Sequence, residues 1–266
     1  MSLVVDSPVV AAPAPTGAER GTVLTLDAVS KRHGVGKNSV VALDGVSLTV
    51  RRGEFVCLVG ASGCGKTTLL SLVAGLDEPT AGTVTTQGRT ALMFQESALL
   101  PWRTAVQNVE LALKLSGVPR KQRRDEALEF LRMVHLTDFA DKRPHELSGG
   151  MRQRVALARA LAQRADILLM DEPFGALDAI TRDVLHDELE RVVHERGLTV
   201  LFVTHNVREA SRLGDRIVLL SSRPGRVVEE FAVPVERPRR IESPGVSSIA
   251  ASVTTRLREE VRRHAR

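Results

Sequence analysis

Residues 54–68, EFVCLVGASGCGKTT, are the stretch on which the reading of this 266-residue chain turns. The run 54–60 is short, apolar and rich in β-branched residues, which marks a buried strand entering a Gly-rich turn, and a helix is expected over 66–74. Between strand and helix, Gly60, Ala61, Ser62, Gly63, Cys64, Gly65, Lys66, Thr67 and Thr68 satisfy the spacing G-x-x-x-x-G-K-[ST] in the strand–turn–helix setting that its chemistry requires. Glycines let the backbone curl until successive N–H groups and the helix N-terminus face one anion. Lys66 adds a cation for terminal phosphates, and Thr67 a hydroxyl for Mg²⁺. Cys64 reads as a small spacer residue.

Further strands are expected at 23–29, 46–50, 90–94, 167–170, 198–204 and 216–220, alternating with helical patterns. That order gives an α/β fold with a largely parallel sheet and helices packed on it. From Gln95 to about Pro144 the strand pattern gives way to helical segments at 106–115 and 120–134, the latter with Leu128, Leu131 and Val134 on one side, so an inserted helical subdomain is expected. The length fits one large domain, or a core plus a small subdomain.

The strand 167–170 ends on Asp171 and Glu172. A carboxylate at the end of a buried strand needs a partner or a metal. Alone such a pair usually caps a turn; beside a phosphate loop Asp171 would hold the Mg²⁺ shell and Glu172 would orient an attacking water for in-line hydrolysis. His205, closing the strand 198–204, stands where a third group could reach the terminal phosphate. Leu147-Ser148-Gly149-Gly150 precedes a helix expected over 151–163, so Ser148 and the two glycines would form a second anion-accepting helix start. Two such ends with one Lys-bearing loop point to a nucleotide shared between two head-to-tail copies, with a capped helix start as the plainer alternative.

Composition narrows the classes. The net charge is +5, yet residues 236–266 hold eight Arg against four Glu (+4), leaving +1 for the rest, and aromatics are 3% with no Tyr. Neither a broad basic face nor stacking platforms are available for nucleic acid. Every apolar run is interrupted by charge before the roughly 20 residues that a spanning helix needs. Residues 1–14 lack a basic leader and are broken by Pro8 and Pro13, so they read as a loose tail. Cys57 and Cys64, without C-x-x-C spacing, support neither a disulfide framework nor zinc, and fit a reducing compartment. Val246, Ile249, Val253, Leu257 and Val261 form the apolar stripe of a terminal helix, read as docked on the body with its arginines in solvent rather than lying on a membrane.

Taken in order, the phosphate loop, Gln95, LSGG at 147–150, MDE at 170–172, GALD ending at Asp178, and His205 resemble the ATP-binding subunit of ABC transporters over about residues 23–228. The resemblance implies a RecA-like P-loop NTPase core with an antiparallel β subdomain and a helical subdomain at about 96–150, together spanning 22–233. A flexible tail (1–21) and a basic extension with the amphipathic helix (234–266) would flank it. It implies ATP as substrate with Mg²⁺, Gln95 touching the metal, Glu172 as general base, and Ser148, Gly149, Gly150 and Asp178 acting across the dimer interface. The implied partners are a second copy, two membrane permease subunits and an extracytoplasmic substrate-binding protein, with no nucleic acid, and the implied location is peripheral, on the cytoplasmic face of the inner membrane. LLPWR (99–103), EPFGALDAITRD (172–183) and LLSSRPGRV (219–227) resemble importers of aliphatic sulfonates, taurine and nitrate, and ERPRRIE (236–242) leans toward aliphatic sulfonates. The family's adenine-stacking Tyr is missing, with His33 as candidate replacement, and Met151 stands where a Gln commonly follows LSGG. Soluble DNA-repair ATPases bring coiled coils or zinc cysteines, translation factors bring two cassettes, and a small-molecule kinase would not need LSGG; an exporter cassette stays open.

Overall fold

The computed structural model describes residues 21–34, 36 and 39–264; apart from Gly21, the expected tail lies outside them. The chain opens with two long strands, β1 (Thr22–His33) and β2 (Val40–Arg51), followed by β3 (Phe55–Val59), helix α1 (Lys66–Val73), β4 (Ala81–Thr86) and β5 (Thr90–Met93). Three helices come next: α2 (Ala105–Leu115), α3 (Arg123–Met133) and α4 (Gly149–Leu161). The remaining elements are β6 (Ile167–Asp171), α5 (Ala179–Arg196), β7 (Thr199–Thr204), α6 (Val207–Leu213), β8 (Arg216–Leu220), β9 (Val227–Ala232) and α7 (Pro244–His264).

A three-stranded antiparallel sheet runs β2-β1-β4, and a six-stranded sheet runs β5-β6-β7-β3-β8-β9, parallel except for the antiparallel β8–β9 pair. Strand alternation splits the interior in two. Phe55, Cys57 and Val59 of β3, with Val200 and Phe202 of β7, face the core that also takes in α2 to α7. Val56, Leu58, Leu201 and Val203 face the other way, onto Leu69, Leu70, Leu72 and Val73 of α1 and the apolar residues of β1 and β2. The central strands are therefore buried on both faces, which is why they read as unbroken apolar runs, and α1 is clamped between the two sheets.

Two strands escaped the sequence reading. β4 (AGTVTT) is almost wholly exposed and β9 (VVEEFA) is broken by two adjacent glutamates, so neither offers an apolar run or a clean alternation. β1 and β2 are also longer than expected, because β1 carries register shifts on both sides of Val29, near Ala28 at φ 46°, that break its alternation. In α3 the buried residues are Ala127, Phe130 and Leu131, Leu128 is only partly buried, and Val134 already lies past the last helical residue. The terminal helix docks as read, with Val246 and Val253 fully buried, but Val261 is 44% exposed near its end.

The segment ERPRRIE has a structural task. Arg239, 5% exposed, donates to the carbonyls of Val235, Val233, Arg212 and Gly214, and Arg237 donates to Leu213 O and pairs with Glu190 and Asp215. Both arginines staple the chain after β9 to the end of α6.

Candidate functional site

The turn between β3 and α1 is shaped by atoms packed against its glycines. A Cβ on Gly60 would lie 2.8 Å from Cys64 Sγ and 3.1 Å from Leu220 O; one on Gly65, at φ +99°, would lie 2.7 Å from Leu43 Cδ2 and 2.8 Å from Ala42 O. Only glycine accepts that combination of positive φ and contact. Gly63 is at φ +74° as well. Lys66 is 7% exposed, and its Nζ donates to Gly60 O (2.9 Å) and Ala61 O (3.0 Å), so the ammonium lies across the inside of the turn. The Cys64 side chain is buried in the α1-facing core and does not line the cavity at this turn, so its place in the expected binding set reduces to backbone.

The cavity, about 640 Å³, is lined by Ser62, Gly63, Gly65, Lys66, Thr67, Thr68, Gln95, Asp171, Glu172, His205 and His33, which thus come together from five separate stretches of sequence. At its floor Thr67 Oγ1 donates to Asp171 Oδ2 at 2.6 Å. Asp171 is 4% exposed; burial pushes its carboxyl above the usual range, the Thr67 hydroxyl and Lys66 pull it down, and Glu172 pushes it up. Glu172 has φ 45°, an uncommon conformation for a side-chain-bearing residue, held by its N–H bond to Val203 O at 2.9 Å. That backbone turns the carboxylate toward His205, whose Nδ1 is 3.0 Å from Glu172 Oε2. An ionised carboxylate only accepts, so Nδ1 carries the proton. Among the described residues no three His, Cys, Asp or Glu side chains cluster to hold a metal. Thr67, Asp171 and Gln95 bring oxygen atoms to the cavity, hard donors of the kind that Mg²⁺ takes beside substrate phosphates.

Ser148, Gly149, Gly150 and Asp178 lie outside this cavity. Ser148 caps α4 by accepting from Met151 N (3.2 Å), and Asp178 caps α5 by accepting from Thr181 N (2.9 Å), a bond that holds its carboxyl below the ordinary range. His33, at the end of β1, is exposed and places Nε2 3.5 Å from Thr68 Oγ1.

Three contributors were not singled out from sequence. Arg223 lines the cavity from the β8–β9 turn, its Nε donating to Gly63 O at 3.2 Å; the run 219–227 carried a family likeness, but nothing in it marked this cation. Gln153 and Arg159 of α4 hold the Gln95 loop, Gln153 bonding Gln95 O (3.3 Å) and Arg159 bonding Ser97 O (2.8 Å) and Ala98 O (2.7 Å). Both read as ordinary polar positions of a helix.

The ABC transporter family model matches residues 43–175. An aliphatic sulfonates import ATP-binding protein of Burkholderia cenocepacia is 46% identical over 248 residues, covering 91% of this chain and 74% of that one. A taurine import ATP-binding protein of Rhizobium johnstonii is 46% identical over 233 residues (84% and 88%), and a bicarbonate transport ATP-binding protein of Synechocystis is 43% identical over 236 residues (85% and 84%). Among solved structures, the dimeric ATP-binding cassette MJ0796, in a post-hydrolysis state bound to ADP and Pi, superposes with a TM-score of 0.73 at 36% identity, covering 80% of this chain and all of that one. With its phosphate loop, strand-end carboxylates and histidine in one cavity, the chain belongs to the ABC transporter ATP-binding family, whose members hydrolyse ATP.

Proposed function

We propose that the protein is the ATP-hydrolysing subunit of an importer, working as a head-to-tail pair with two permease subunits and an extracytoplasmic binding protein, peripheral to the cytoplasmic face of the membrane. One observation carries this reading. Lys66, Thr67, Asp171, Glu172 and His205 share a cavity, while Ser148 and Asp178, the other two phosphate-related positions, sit capped on helices outside it. Half of a shared site is thus presented to a second copy. Among the described residues no helix is long and apolar enough to cross a membrane, so translocation would fall to other subunits.

Within the site, ATP phosphates would draw the Lys66 ammonium from the carbonyls of Gly60 and Ala61, since a charge-assisted bond to phosphate is stronger than one to a neutral carbonyl. Thr67, Asp171 and Gln95 would hold Mg²⁺, which when bound supplies charge neutralisation for the phosphates. Glu172 would orient and polarise the attacking water, and His205, fixed by its bond to Glu172, would meet the terminal phosphate. His33 would lie against the base, in place of a tyrosine.

For cargo the reading favours aliphatic sulfonates, with taurine or nitrate as the alternative; its support is the likeness to sulfonate and taurine importers. Growth of a deletion strain on an alkanesulfonate, on taurine or on nitrate as sole sulfur or nitrogen source separates them: unchanged growth on alkanesulfonates refutes the first. The shared site is tested by mixing Lys66→Ala with Ser148→Arg protein. A head-to-tail pair of the two has one composite site with both defects and one intact, so the mixture should hydrolyse ATP in single turnover where neither variant alone does. No gain on mixing refutes the pairing.

A further inference from the structure

Directly behind the Glu172–His205 pair lies a buried polar cluster to which the reading above gives no task. His186 of α5 is fully buried, and Glu209 and Arg212 of α6 are 4% and 5% exposed. His186 Nε2 is 2.9 Å from Glu209 Oε1, and Arg212 Nη1 is 3.2 Å from His186 Nδ1. Glu209 Oε2 accepts from the Thr204 hydroxyl, which in turn accepts from Asn206 N at 3.0 Å. Arg212 also reaches Asp187 (2.5 Å) and Asp183 (3.3 Å).

The donors and acceptors of this cluster fit one consistent arrangement. A guanidinium cannot accept, so His186 Nδ1 must accept from Arg212. The imidazole then carries its proton on Nε2 and donates it to Glu209. Glu209 receives two donors, and the Thr204 hydroxyl, having given its proton to Glu209, is left to accept from Asn206 N. Each bond fixes the sense of the next, which leaves the Thr204–Asn206 turn a single way to sit.

That turn holds His205. The other side of the His186 ring packs edge-on against Phe174, two residues past Glu172, with centroids 4.8 Å apart and planes at 76°. A cavity of about 50 Å³, lined by Glu172, Phe174, Thr204, His205 and Glu209 among others, separates the pair from the cluster. His186 therefore touches the segment that carries Glu172 and, through Glu209 and Thr204, the segment that carries His205. It also sits on the helix that begins at Asp178.

We propose that His186, Glu209 and Thr204 are positioning residues that hold His205 against Glu172 and tie that contact to the helix carrying Asp178. The inference rests on the catalytic reading of Glu172 and His205. It is tested in the full-length chain with His186→Leu, which keeps bulk but neither polar contact, and His186→Gln, whose amide can donate to Glu209 and accept from Arg212. His186→Leu should lower kcat about tenfold with KM for ATP within about twofold, and His186→Gln should recover most of the loss. Thr204→Val, nearly isosteric, should act like His186→Leu, and it carries the test if the leucine variant does not fold. The decisive measurement is single-turnover hydrolysis in a His205→Ala background, where His186→Leu or Thr204→Val should cost less than about twofold more, because residues acting through one side chain are not additive. Wild-type kcat in both variants, a glutamine variant as impaired as the leucine one, or a full additional loss in the His205→Ala background overturns the proposal. Should His205→Ala alone leave turnover intact, the reading of the site fails first, and the positioning role with it.

Discussion

Lys66, Asp171, Glu172 and His205 line one cavity and bond to each other's neighbourhood, whereas Ser148 and Asp178 turn their oxygens onto the first turns of their own helices. In the first group Lys66 bonds within its own loop, but the carboxylates depend on partners distant in sequence: Thr67 and Asp171 are 104 residues apart, Glu172 and His205 33 apart. In the second, each bond spans three residues. The cavity group exists only once the sheet has formed, while the caps need no more than a helix. In the function proposed above the chemistry falls to the first group, and the second serves a partner copy.

The largest test of that division is Glu172→Gln. It removes the carboxylate proposed as general base but leaves the cavity's shape, so steady-state turnover should fall about 10²- to 10³-fold with ATP affinity preserved, as read by hydrolysis and calorimetry together. Normal turnover would falsify the assignment. Lys66→Ala should weaken ATP binding about tenfold or more in calorimetry, since a charge-assisted contact to phosphate is lost; Ser148→Arg in the isolated monomer should leave that affinity unchanged, and equal losses in both would erase the distinction between the groups. Asp171→Asn sharpens it through stability. Burial raises the Asp171 carboxyl above its unfolded value, so the folded chain binds the extra proton and loses stability as pH rises through the folded value. At neutral pH the asparagine variant should melt higher than wild type without nucleotide, the gap closing below the ordinary carboxylate range, while Mg²⁺-dependent turnover disappears. A lower melting temperature at neutral pH counts against this account. The smallest effect is expected from Arg223→Ala, a rise of about two- to fivefold in KM for ATP that shrinks with added salt, as befits an exposed cation at the rim.

Legibility in the sequence followed the same division between local and distant. The phosphate loop could be read because its glycines and Lys66 are contiguous, and β3, β6, β7 and β8 because burial on both faces makes them unbroken apolar runs. Ser148 as the start of α4 was equally plain, since a cap is written within one turn. β4 stayed hidden because its six residues are held by main-chain pairing with β1 and bury little, and β9 because the adjacent Glu229 and Glu230 interrupt its apolar residues at a sheet edge. Arg223, Gln153 and Arg159 were illegible for another reason: each acts through a carbonyl of a residue distant in sequence, and carbonyls leave no mark in side-chain composition. The ERPRRIE run was recognisable by likeness and opaque in purpose until Arg237 and Arg239 were seen bonding the end of α6.

Those two arginines bear on how relatives of differing cargo are compared. Their guanidinium groups are spent on main-chain oxygens and on Glu190 and Asp215, with nothing left to greet a solute. Exchanging everything after Val233 between two such proteins should transplant a fastening, and the recipient should go on serving whichever compound its permease admits.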